Sequence, residues 1–147
     1  MDFEKFLSHQ GVDHKGRTLN DIWGFSDDEI EGIHDFIQLV FPTNKKSESV
    51  FHGLYLDSEK LIETLRINQQ VRQSLIKSSL WFLGFLQRNN HWKRRYDHNQ
   101  LRITRAIESL RLLVSNEEAD SFRESVLSLL EPAYRISERT LKRWKNA

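Results

Sequence analysis

The chain has 147 residues, 38% of them hydrophobic and 29% charged, with a net charge of +1 and no cysteine. This is the composition of a globular domain rather than a disordered chain, and without cysteine there are no disulfides, thiolate metal sites or thiol nucleophiles. No apolar run approaches the ~20 residues of a membrane helix, and Met1-Asp2-Phe3-Glu4-Lys5 lacks a secretory signal; one cytoplasmic domain spanning 1–147 is expected.

Charge is unevenly spread. Residues 1–65 carry 6 basic and 13 acidic side chains, and residues 66–147 carry 16 and 8. Opposite halves attract within one domain, and a basic binding face is the alternative.

Phe3, Phe6 and Leu7 predict a short opening helix, and Gly11 and Gly16 bracket a polar loop. Thr18–Trp23 predicts one helical turn anchored by Trp23 and Phe25. Ser26-Asp27-Asp28-Glu29 reads as a capping box opening a helix to about Phe41, where Pro42 stops it. On that helix His34 and Gln38, four apart, share the border of a buried arc. Thr43–Asp57 reads as a long irregular segment. Ser58 caps a helix to about Ile67. A longer one, 69–89, is apolar around most of its circumference and reads as the buried central helix. Its Gly84 predicts close approach of another helix.

From His98 to Val114, Ile103, Ala106, Ile107, Leu110, Leu113 and Val114 fall within about 120° of arc, with Arg102, Arg105 and Ser109 along one border. Ser115–Glu118 reads as a second capping box for a helix through Glu131, and Pro132 breaks the chain. A last helix from about Ile136 carries Leu141 and Trp144 among Arg139, Lys142, Arg143 and Lys145. No stretch alternates as a half-buried strand would. The expected fold class is all-α: a compact bundle of about six helices around the helix at 69–89.

Two of these stretches carry a family resemblance. Glu31-Gly-Ile-His34-Asp-Phe-Ile-Gln38-Leu-Val-Phe41-Pro42, taken with His98-Asn99-Gln-Leu101-Arg102-Ile103-Thr104-Arg105, resembles the conserved domain of the opioid growth factor receptor family. The closing Thr140-Leu141-x-x-Trp144-x-x-Ala147, and Gly16-Arg17 ahead of Asp21-Ile22, resemble its bacterial members. Leu39 stands where the family has tryptophan, and Val50 and Leu54 stand where it has asparagine and proline. The resemblance implies an α-helical domain and, in animal members, binding of a short enkephalin peptide and negative control of growth.

The sharpest polar constellation is His34, Gln38, His98, Asn99, Arg102 and Arg105, with Trp23 and Phe41 as an apolar wall. If the helices carrying His34 and Arg102 pack with these borders adjacent, two guanidinium groups converge on one cleft. Such a cleft suits a carboxylate, a peptide or a small anion, because arginine presents forked donors to oxyanions. The opposing reading is that the arginines pair within the protein and fix how the helices meet. Trp92, Lys93, Arg94, Arg95 and Tyr96, with 139–145, offer cations interleaved with aromatics, the pattern of a nucleic-acid-binding surface; the opposing reading, which the near-neutral net charge favours, is that the aromatics anchor the core with the cations exposed beside them. Six scattered histidines show no metal-binding spacing, and no Gly-x-Ser-x-Gly elbow points to a hydrolase. Recognition of a peptide or protein segment, without metal or cofactor, is therefore the expectation.

Overall fold

The computed structural model describes residues 1–46, 54–130 and 134–147, and among them the only regular elements are helical. Nine α-helices and a 3-10 turn at His91–Lys93 follow in order: α1 Phe3–Leu7, α2 Leu19–Trp23, α3 Asp27–Gly32, α4 Ile37–Val40, α5 Glu59–Ile67, α6 Gln69–Arg88, α7 His98–Leu113, α8 Asn116–Ser128 and α9 Glu138–Asn146. No helix among these residues is long and apolar enough to cross a membrane.

Short polar side chains set most starts. Ser26 and Glu29 form the expected capping box, and Thr18 with Asp21 form another at α2. Ser58, Asp97 and Ser137 cap α5, α7 and α9 by accepting from backbone N–H groups of the first turn. At Ser115 only half of the box forms: its hydroxyl accepts from the Glu118 N–H. The helix this opens stops at Ser128, short of Glu131, which with Pro132 lies outside the described residues.

The centre is shared. α6 packs on α1, α5, α7 and α8, while α7 packs on α5, α6, α8, α9 and the 3-10 turn. α6 buries Val71, Leu75, Phe82, Phe85 and Leu86, together with Ser74, Ser78 and Ser79, and leaves Leu80 exposed among Gln73, Lys77 and Gln87. It is thus less evenly apolar around its circumference than the sequence suggests. Gly84 faces no helix; a Cβ there would meet Nη1 of Arg88 at 3.0 Å. The space lets Arg88 lie along α6 and grip Asp27 of α3 with Nε and Nη2.

The expected helix from Ser26 to Phe41 is two short helices. Gly32 weakens the helical path, and Ile33 is extended at φ −93°, ψ 128°. Long-range bonds hold the break open. Arg17 donates from Nη1 and Nη2 to the Asp35 carboxylate and carbonyl, while its Nε grips Asp13. Arg102 takes the carbonyls of Ile30 and Ile33, which a continuous helix would have given to its own backbone. His34 and Gln38 therefore do not share one helical face.

Candidate functional site

α7 carries two different polar regions, and the segment 30–46 runs beside both. Its N-terminal end meets the last turn of α3. Glu31 Oε2 accepts from Asn99 Nδ2 at 3.0 Å and lies 2.7 Å from His91 Nε2. His98 Nε2 lies 3.0 Å from Glu31 Oε1, and its Nδ1 lies 4.0 Å from Asp97 Oδ1. Burial pushes the Glu31 carboxyl up, but the Asn99 and His91 hydrogen bonds and the charge of His98 outweigh it and hold the group below its ordinary value. The edge of the exposed His34 ring meets His98, with centroids 5.3 Å apart.

One turn inward, Arg102 is 5% exposed. Its Nη1 donates to the Ile30 carbonyl at 2.6 Å and to Asn99 Oδ1 at 3.2 Å, its Nη2 donates to the Ile33 carbonyl at 2.8 Å, and the guanidinium lies 5.2 Å from the centre of the Phe36 ring. Burial lowers its pKa, against the pull of Glu31 and Asp97. This arginine caps the end of α3. It is not placed to hold an external anion, because three protein oxygens occupy its forked donors.

Arg105, three residues on, differs. Its contacts are an Nη1 bond of 3.4 Å to the Phe41 carbonyl and one of 3.5 Å to Thr43 Oγ1, the weak end of the hydrogen-bond range. Desolvation lowers its pKa, partly offset by Glu108. It lines a hollow of about 460 Å³ with Thr43, Lys45, Leu101, Thr104, Glu108 and Arg143. That hollow shares Thr43, Lys45, Glu108 and Arg143 with one of about 580 Å³ toward Arg66, Arg111 and Ala147. It shares Leu101 and Arg143 with one of about 530 Å³ toward Arg94, Tyr96, His98 and Arg139. Together they form a groove between α7 and α9.

Most of the groove's cations are already engaged. Lys45 pairs with Glu108, Arg94 with Asp97 and Arg111 with Asp120, and Arg66 donates to the Leu112 carbonyl. Arg143 is exposed and, among the described residues, has no hydrogen bond or ion pair. Leu101 is 59% exposed between Arg105 and Arg143.

The remaining sequence candidates are dispersed. Phe41 is wholly buried and meets Phe82 edge-on in the core, so it walls no cleft. Trp23 lies in a separate hollow with His9, Ser74 and Lys77, where its Nε1 donates to Ser78 Oγ. Gln38 Oε1 is buried without a hydrogen-bond partner among the described residues. Trp92 and Trp144 are wholly buried, their Nε1 groups donating to the carbonyls of Leu86 and Asn89 and of Gln100. Neither can stack on a base. Of the 92–96 aromatics only Tyr96, 67% exposed with Arg95 over its ring, is available. Lys45, Leu101 and Glu108 were not singled out from sequence, because their importance depends on α9 folding back over α7.

Compared with models of known protein families, with curated proteins and with solved structures, the chain gives no match.

Proposed function

We propose that the chain is a non-enzymatic recognition domain that binds an acidic peptide or protein segment along the groove between α7 and α9. The observation that carries this reading is the pair Arg105 and Arg143 on one hollow, both with guanidinium donors to spare, with exposed Leu101 beside them. A carboxylate side chain would take a bidentate bond from either arginine, and an apolar neighbour on the same segment would cover Leu101. The resemblance to the opioid growth factor receptor domain agrees with a peptide ligand. The two stretches that carry it lie against each other, through Arg102 on the Ile33 carbonyl, Asn99 on the Glu31 carboxylate and Arg105 on the Phe41 carbonyl.

A dye-labelled peptide of alternating Glu and Leu, followed by fluorescence anisotropy at low salt, tests the reading. Saturable binding that weakens at least tenfold in Arg143→Glu, and that fails for the matching Gln–Leu peptide, supports it. Equal binding of the Glu and Gln peptides overturns it. A second reading, single-stranded nucleic acid, draws on exposed Tyr96 together with Arg94 and Arg139 in the adjoining hollow. Tighter binding of an oligothymidylate than of the peptide, lost in Tyr96→Ala, would favour it.

A further inference from the structure

At the other end of the site helix three side chains from two parts of the chain converge. One donor atom each of Glu31, Asp97 and His98 lies within 4.8 Å of the others. We propose that these three residues bind a first-row divalent transition-metal ion, with Zn²⁺ the preferred probe. The proposal does not depend on what occupies the groove.

Four features carry it. First, His98 Nε2 is a buried atom without a hydrogen-bond partner among the described residues, although Glu31 Oε1 stands 3.0 Å away. The two atoms are close but not aligned as donor and acceptor. Two ligands at about 2.1 Å from a metal stand about 3.0 Å apart at a right angle and about 3.4 Å apart at the tetrahedral angle zinc prefers, so the two atoms lie within a few tenths of an ångström of the separation of adjacent donors on one ion. Second, the donor set suits a cation: two carboxylates and an imidazole converge, with Arg94 offsetting part of the Asp97 charge. A nitrogen among the oxygens favours zinc and its neighbours over calcium or magnesium.

Third, the supporting bonds are those of a metal site. His91 Nε2 and Asn99 Nδ2 hold Glu31 Oε2, leaving Oε1 toward His98. The Asp97 side chain is wholly buried and fixed by Arg94 at one oxygen and by the Asn99 N–H at the other. Such second contacts orient ligands and are a regular part of metal centres. Fourth, there is a path: Asp97 and His98 line the hollow of about 530 Å³ that continues the groove. Three protein ligands leave further coordination positions for water. An ion there would tie the end of α3 to the start of α7, the joint that Arg102 also braces.

The full chain, stripped with chelator, is titrated with ZnCl₂ by calorimetry at pH 7.5. One equivalent should bind, and affinity should fall at least tenfold in His98→Ala and in Glu31→Gln. His14→Ala should bind as the parent does. Because a variant here could unfold, the parent's imidazole NMR signals give an independent readout: on adding one equivalent of Zn²⁺, His98 should shift and His14 should not. No saturable stoichiometric binding, unchanged affinity in His98→Ala, or a shift confined to other histidines would overturn the assignment.

Discussion

Arg102 and Arg105 stand one turn apart on the same border of α7, yet the fold uses them in opposite ways. Arg102 faces the frayed end of a short helix, where the carbonyls of Ile30 and Ile33 have lost their backbone donors, and it supplies the replacement. Arg105 faces residues 41–43, where that need is largely met already. The Ser109 hydroxyl takes the Pro42 carbonyl at 2.7 Å and the Leu56 N–H takes the Thr43 carbonyl at 2.9 Å. Only the Phe41 carbonyl remains for Arg105, at 3.4 Å. An arginine's role here follows from how many orphaned carbonyls it meets. Chemistry and helix position alone do not distinguish the two.

The contrast can be broken most forcefully at Arg102. Arg102→Ala would leave two buried carbonyls and the Asn99 amide oxygen without their donor, at about 1–3 kcal/mol each before relaxation. Urea unfolding should show a loss of about 3 kcal/mol, and Arg102→Lys should not restore it, because a single ammonium cannot span the Ile30 and Ile33 carbonyls as the planar fork does. A loss below about 1 kcal/mol would place Arg102 in the same class as Arg105. The next largest effect is expected at Arg17, which performs the same bracing from the opposite side. Its Nε bond to Asp13 is 2.7 Å and its Nη1 bond to Asp35 is 2.9 Å. Arg17→Met should cost about 2 kcal/mol by the same urea measurement, since the buried Asp13 loses its charged partner.

The pH dependence sharpens the point. Burial raises the Asp35 carboxyl, but Lys15 and Arg17 outweigh burial and hold it below its ordinary value. A depressed carboxylate stabilises the fold above its unfolded pKa, about 4, and that contribution disappears as pH falls through the lower folded value. Thermal melts between pH 5 and pH 2 should therefore fall less steeply for Asp35→Asn than for the parent, from a lower starting point. Identical slopes would show that the ion pair is not linked to folding. The smallest effect is expected at Gly84. An added Cβ meets only the flexible end of Arg88, so Gly84→Ala should raise stability by about 0.5 kcal/mol, the helix preference less a partly loosened Arg88. A destabilised variant would mean that the Arg88 grip on Asp27 contributes more than an exposed ion pair ordinarily does.

Legibility in the sequence followed the range of the forces involved. The cap at Ser26, the helix from Gln69 and the apolar stripe of α7 are set by neighbours within a few residues, and each forms as its local pattern predicts. The break after Gly32 was not legible, because the bonds that hold it come from Arg17 and Arg102, the latter about seventy positions along the chain. For the same reason the meeting of His91, His98 and Glu31 left no spacing signal: two histidines flank a turn, and the carboxylate arrives from α3. Trp92 and Trp144 read from sequence either as core anchors beside exposed cations or as stacking aromatics, and the fold takes the first course. They are buried because their indole N–H groups find carbonyls inside the fold.

The most direct test of the division between the two arginines is the affinity of Arg105→Ala for the labelled Glu–Leu peptide, read beside its urea midpoint. Binding should weaken at least tenfold with stability changed by less than about 1 kcal/mol, since the hydrogen bonds Arg105 makes among the described residues are long ones of 3.4 and 3.5 Å. Unchanged peptide affinity together with a large loss of stability would contradict that division and make Arg105 a brace of the same kind as Arg102.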